Sequence, residues 1–188
     1  MSEIDDIISG GSVGALGADG RPQGIPSTFS AESAENDESI EMQFAVTCVE
    51  QAETYWKLIT GIKPSTLKRL TKWDDEIYES FEKHFPDLLE DGGKKLIRLN
   101  EDDIKSAAGK KRWREFMMPF EKKVGKCSLS TDDYNFGTLL RFNAEDDYTE
   151  ENSMFGYRVQ FYAIEIARNR FGLNDKVYEA AQAEKNSA

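Results

Sequence analysis

The sequence predicts a mainly α fold: a compact orthogonal helical bundle of about four to five helices behind a disordered N-terminal tail. Three observations predict it. Apolar residues recur every three or four positions in several separate segments, the spacing of one helix face. The links between those segments are short and carry Gly or Pro, as in bundles whose neighbouring helices lie side by side. Residues 1–36 lack any such period and are rich in Gly, Ser, Ala, Pro and acids, so they cannot bury enough surface to offset the entropy of ordering. The expected organisation is therefore a tail over 1–36, a helical domain over 37–178 and a frayed C-terminus over 179–188.

The first helix is expected from about residue 38 to Gly61, with Ile40, Phe44, Cys48, Ala52, Trp56 and Ile59 on one face and Tyr55 beside them. Gly61 and Pro64 stop it. After the irregular KPSTLKRLT, a second helix begins near Thr71, places Ile77, Phe81 and Phe85 at i,i+4 positions and ends at Pro86. The link EDGGKKLIRLN holds a turn at Gly92-Gly93 and a few extended residues. A third helix runs from Glu101, after the cap Asn100, through Ile104, Trp113, Phe116, Met117 and Phe120 toward Val124. Pro119 kinks or restarts it, because an interior proline costs about 3 kcal/mol. The segment MFGYRVQFYAIEIARNRFG carries a wide stripe of Phe155, Val159, Tyr162, Ile166 and Ala167 and reads as a central helix, although Tyr157, Val159 and Phe161 also alternate as a strand would. Gly172 closes it, and LNDKVYEAAQAEK forms a short last helix.

Net charge is −11 over 188 residues, and its distribution is uneven. Residues 1–38 hold eight acids against Arg21, and Glu145–Glu151 adds five acids and no base, which leaves the rest of the chain at +1. That balance argues against direct nucleic-acid binding. Cys48 and Cys127 give no disulfide framework, and the sequence has no Asn-x-Ser/Thr sequon, signal-like start or long apolar run. An intracellular chain off the membrane is the expectation. The cytoplasm is the expected location, with the nucleus also open.

No familiar chemistry assembles from the motifs. The single histidine, His84, cannot build a His-rich metal site and reads as core-edge or surface packing. Each Gly-Lys pair (93–94, 109–110, 125–126) lacks the glycine five positions earlier that a phosphate loop needs. Asn135-Phe136-Gly137 resembles a kinase Asp-Phe-Gly but lacks the metal-binding acid and the accompanying loops. Neither a catalytic group, a cofactor nor a metal is expected. The acids Asp74, Asp75 and Glu76 after Trp73 suit the positive end of a helix dipole, with Thr71 as cap. A partner-facing role for Trp73, Asp74 and Asp75 stays open beside that reading.

Five ordered blocks, FAVTCVEQAETYWKLI, LTKWDDEIYESFEKHFP, KKRWREFMMPFEKKV, DYNFGTLLR and RVQFYAIEIARNRFGLND, resemble the small eukaryotic polysaccharide biosynthesis domain-containing proteins. The resemblance covers about residues 28–178. It implies a small mainly α domain and a dedicated chaperone for eukaryotic translation elongation factor 1-alpha. Such a chaperone captures the emerging GTP-binding domain at the ribosome, together with the nascent polypeptide-associated complex, and releases it once that domain has folded around GTP. This chain would then bind a GTPase without being one. The family name also admits a carbohydrate-biosynthesis enzyme, but the Asp-x-Asp motif and the glycine-rich methyl-donor loop are both missing. A generic helical adaptor is a third reading.

Asn135-Phe136-Gly137 suits a turn, yet Tyr134 and Arg141 beside it are common interface anchors. The sequence therefore nominates one client-facing surface of Arg69, Trp73, Asp74, Asp75, Tyr134, Asn135, Phe136 and Arg141.

Overall fold

The computed structural model describes residues 38–121 and 136–187. The tail expected over 1–36, and Cys127, Tyr134 and Asn135, lie outside the described residues. Within them the chain is mainly α, with seven helices and one two-stranded antiparallel sheet.

Helix α1 runs Glu38–Gly61 as the spacing predicts. Its buried stripe is Cys48, Ala52, Tyr55 and Ile59, whereas Phe44 is exposed. The buried stripe thus begins at Cys48, and Phe44, a turn earlier, packs on the hairpin while staying partly open. A 3-10 turn at Pro64–Thr66 leads to α2, Asp74–His84. Pro86 was expected to end a helix, and it also begins one: α3 spans Pro86–Ile97 with Pro86 in its first turn. Proline suits that position because its missing N–H would have no helical partner there. The Gly92-Gly93 turn interrupts α3 with φ of 52° at Asp91, 71° at Gly92 and 74° at Gly93. The expected third helix divides at Ser106 into α4, Asp102–Lys105, and α5, Ala107–Glu121, with Pro119 inside the latter.

Two short strands replace what was read as a turn and the start of a helix. Strand β1, Gly137–Arg141, pairs antiparallel with β2, Ser153–Tyr157, so that Leu139 faces Phe155 and Leu140 faces Met154. Tyr157 then changes the period: its N–H donates to Gln160 Oε1 at 2.8 Å, and α6 runs Arg158–Arg170. Gly172, at φ 69°, turns the chain into α7, which continues from Asp175 to Ser187 through the end that was expected to fray.

Helix α6 is the centre of the fold, with every residue from Arg158 to Asn169 buried. Helices α2 and α3 and the hairpin pack around it, and α1 lies across β1 and α7. An aromatic cluster closes the far side, where Phe85 meets Trp113 at 4.1 Å and Phe116 stands edge-on to Phe81 and Trp113. His84 joins it as core-edge packing, its Nδ1 2.8 Å from the Ser80 carbonyl and its ring edge-on to Phe116. The acidic loop between the strands is held by its own side chains. Asn152 accepts from the Asn143 N–H at 2.7 Å and donates to the carbonyls of Asn143 and Asp147.

Candidate functional site

The described residues among those nominated from the sequence do not form one surface. Arg69 and Asp75 are exposed and Trp73 is half-buried. Asp75 pairs with Arg170 at 2.6 Å, at the C-terminal end of α6. Phe136 lies under the Arg158 guanidinium, 4.7 Å from the ring centre, at the N-terminal end of α6. Thirteen helical residues separate those ends by about 18 Å.

Two nominees are buried. Asp74 accepts from the N–H groups of Leu70 and Thr71 at 2.7 and 2.6 Å and from the Thr71 hydroxyl at 2.9 Å. Its carboxylate therefore secures the approach to α2. Burial raises its pKa above the usual carboxylate value, against the lowering effect of those bonds. Arg141 is wholly buried rather than a surface anchor. Its guanidinium donates to Glu165 at 3.2 Å, to Asn174 Oδ1 at 2.8 Å and to the Ala144 carbonyl at 2.9 Å, and lies 5.5 Å from the ring centres of Trp56 and Tyr148.

Sequence reasoning missed the network around Arg141. Glu165 also accepts from Arg168 Nη1, Asn174 Nδ2 and the Tyr55 hydroxyl, each at 2.8 Å. Arg168 donates onward to the carbonyls of Leu96, Arg141 and Phe142. These side chains join α1, β1, α3, α6 and the turn before α7. Burial alone would raise the Glu165 pKa, but the charges of Arg141 and Arg168 outweigh it and hold the pKa at about 2. A carboxylate so fixed, with no exposed surface, has no proton to exchange near neutral pH. Its role is to bind the elements together. A partial signal was present in the sequence: Glu165 and Arg168 sit one turn apart among Ala163, Ile164, Ile166 and Ala167 in the segment read as the central helix.

A different surface stands open. On α1, Met42, Val46 and Val49 share an outward stripe, and Phe44, on another face of the helix, stacks on Phe155 of β2 at 6.1 Å. Phe155 is 62% exposed, and Tyr157, two residues along the strand, is also exposed. Phe136 adjoins the ridge, 6.1 Å from Phe44. A hollow of about 560 Å³ on one side of Phe155 is lined by Val49, Trp56, Leu139 and Met154, with Glu53, Asp147 and Glu150 at its margin. A trough of about 430 Å³ on the other side is lined by Phe44, Ile104, Trp113, Met117 and Tyr157, with Lys105, Lys110 and Arg114 at its margin. An exposed apolar ridge of Phe44, Phe136 and Phe155 between two hollows suits an interaction site, and the opposite charges on its two sides give a partner an orientation.

Among the described residues no three His, Cys, Asp or Glu side chains gather as a metal site would require. Cys48 is buried and donates its S–H to the Gly137 carbonyl at 3.2 Å, and burial raises its thiol pKa. No helix among the described residues is long and apolar enough to cross a membrane.

Comparison with known proteins places this architecture. The family model described as PBDC1 protein matches residues 40–179. The PBDC1 homologue of Saccharomyces cerevisiae is 52% identical over 79% of this chain and 95% of its own length. Its Schizosaccharomyces pombe counterpart is 52% identical over 80% of this chain and 96% of its own. PBDC1 of Homo sapiens is 44% identical over 81% of this chain and 59% of its own length. A solution NMR structure of a Saccharomyces cerevisiae protein superposes with a TM-score of 0.66 at 50% identity, covering 81% of this chain and 98% of that one. This chain therefore belongs to the PBDC1 family, the polysaccharide biosynthesis domain-containing proteins.

Proposed function

We propose that this chain is a non-enzymatic, cytoplasmic chaperone that binds the nascent GTP-binding domain of translation elongation factor 1-alpha. It acts at the ribosome with the nascent polypeptide-associated complex and releases its client once the domain has folded around GTP. The five sequence blocks support the choice of client. The observation that carries the binding mode is the exposed apolar ridge of Phe44 and Phe155, set on a scaffold that its buried charge network keeps rigid.

Such a chaperone needs no catalytic group. It needs a surface that prefers the unfinished client, and release follows when GTP stabilises the state that binds poorly. A preference of about 3 kcal/mol changes occupancy more than a hundredfold, within reach of a few aromatic anchors. Of the residues nominated from the sequence, Phe136 belongs to the ridge, while Arg69, Trp73 and Asp75 offer a second, separate contact.

Affinity purification from translating cells, with and without release of nascent chains, tests this reading. Elongation factor 1-alpha should be enriched on ribosomes and depleted when its GTP site is intact and filled. A sugar-nucleotide-dependent activity with no enriched GTPase would overturn it, and stable association with a mature partner would indicate an adaptor instead.

A further inference from the structure

The register of the hairpin decides which backbone groups of β2 face outward. Arg158 donates its N–H to the Phe136 carbonyl at 2.8 Å, and Phe142 donates to the Asn152 carbonyl at 2.9 Å, at the two ends of the ladder. In an antiparallel pair the hydrogen-bonded positions alternate, so Thr138 with Gly156 and Leu140 with Met154 are the bonded pairs between those ends. Ser153, Phe155 and Tyr157 occupy the intervening positions and turn their N–H and C=O groups away from β1. Gln160 takes the Tyr157 N–H. Among the described residues nothing pairs with the outward backbone groups of Ser153 and Phe155.

Edge strands are ordinarily guarded by lysine, proline, a bulge or a covering element. The β2 sequence, Ser-Met-Phe-Gly-Tyr, contains no charged residue and no proline. Phe155, Gly156 and Tyr157 of this strand line the trough that Trp113 and Met117 of α5 also line. Lys110 and Arg114 on that helix form no ion pair with any described carboxylate, whereas Lys105 is held by Glu101 at 2.5 Å.

We propose that this edge receives an extended segment of the unfinished client as a third strand. Alternate apolar side chains of that segment would lie in the trough, and its acidic flanks would meet Lys110 and Arg114. The inference rests on the chaperone reading and refines it. Backbone pairing supplies affinity without demanding one sequence, and the trough and its charges select the register and the acidic flank. It also supplies a reason for release. A GTP-binding domain built on strand–phosphate-loop–helix units buries its strands in a completed sheet; a strand whose edges are already paired has nothing left to offer β2.

Amide hydrogen exchange on the full chain, alone and with the nucleotide-free GTP-binding domain of elongation factor 1-alpha, tests the pairing. In the free chain the Phe155 amide should exchange freely, and in the complex it should be protected by at least about tenfold, together with Ser153. Reversing the two exposed charges, Lys110→Glu with Arg114→Glu, should weaken the complex by about tenfold and leave thermal stability unchanged. Binding of the domain with no protection at Phe155, and with no loss from charge reversal, would overturn the strand-addition proposal and leave the chaperone reading standing. Protection of Phe155 in the free chain would show that another part of the same chain fills the edge, and would also overturn it. No binding of the domain at all would overturn both.

Discussion

Replacing Glu165 by glutamine keeps its shape and removes the one negative charge between two buried arginines. Arg141, Arg168 and Glu165 have essentially no exposed surface, and the carboxylate takes hydrogen bonds from Arg141, Arg168, Asn174 and Tyr55. Taking away one partner of a buried ion pair costs about 3–5 kcal/mol, because the remaining charge stays desolvated and uncompensated. The titration of Glu165 gives a consistent magnitude. Its pKa falls from 4.5 to about 2 on folding, a difference equivalent to about 3 kcal/mol. Because the folded value is the lower one, this stabilisation is fully present above pH 4.5 and is lost progressively as pH falls toward 2. Glu165→Gln should therefore lower urea-measured stability at pH 7 by about 3–5 kcal/mol, a fall of about 6–20 °C in melting temperature. The variant should also lack the share of the stability loss between pH 4.5 and 2 that Glu165 contributes in the parent. A loss below about 1 kcal/mol at pH 7, or an acid limb identical to that of the parent, would refute the assignment of this network as the fold's electrostatic joint.

Asp74→Ala should cost about 1–2 kcal/mol in urea denaturation through loss of the bonds that fix the start of α2, while client affinity stays as in the parent. Gly93→Ala should cost about 1–3 kcal/mol, because Gly93 sits at φ 74° and an added Cβ would come 2.7 Å from the Phe171 ring; thermal melting reads this directly. Phe44→Ala combined with Phe155→Ala should change stability by less than about 1 kcal/mol but weaken client binding at least about tenfold in a calorimetric titration. Trp73→Ala, on the separate contact, should weaken the same titration less than Phe155→Ala does.

Much of the fold was legible because helix faces repeat. The 3–4 spacing located α1 to its ends, and Gly61 and Gly172 marked real stops. The hairpin was hidden because five-residue strands show too few alternations to outweigh a helical stripe. Phe155 and Val159 belong to that stripe on paper, yet they fall on opposite sides of the Tyr157 boundary. That boundary is made by Gln160 reaching back to a backbone N–H, in place of a Ser, Thr, Asp or Asn cap. Pro86 was ambiguous for a physical reason: proline ends one helix and suits the first turn of the next.

The candidate site was legible only in part. DYNFGTLLR did mark an unusual place, since Gly137 admits the Phe44 ring where a side chain would collide with it. Arg141, however, looks the same in sequence whether it anchors a partner or a core. Its partner Glu165 lies 24 residues further on, and only the fold brings them together. The apolar ridge escaped notice because Phe44 and Phe155 fit the buried stripes of their elements. The exposure of Phe155 goes with β2 having no neighbouring strand among the described residues on its outer side.

The most direct test of the central claim is a titration of the purified chain with the isolated GTP-binding domain of elongation factor 1-alpha, nucleotide-free and then saturated with GTP. The account predicts binding to the empty domain and a loss of at least about a hundredfold in affinity when GTP is bound. Equal affinity for the two states, or no affinity for either, would contradict it.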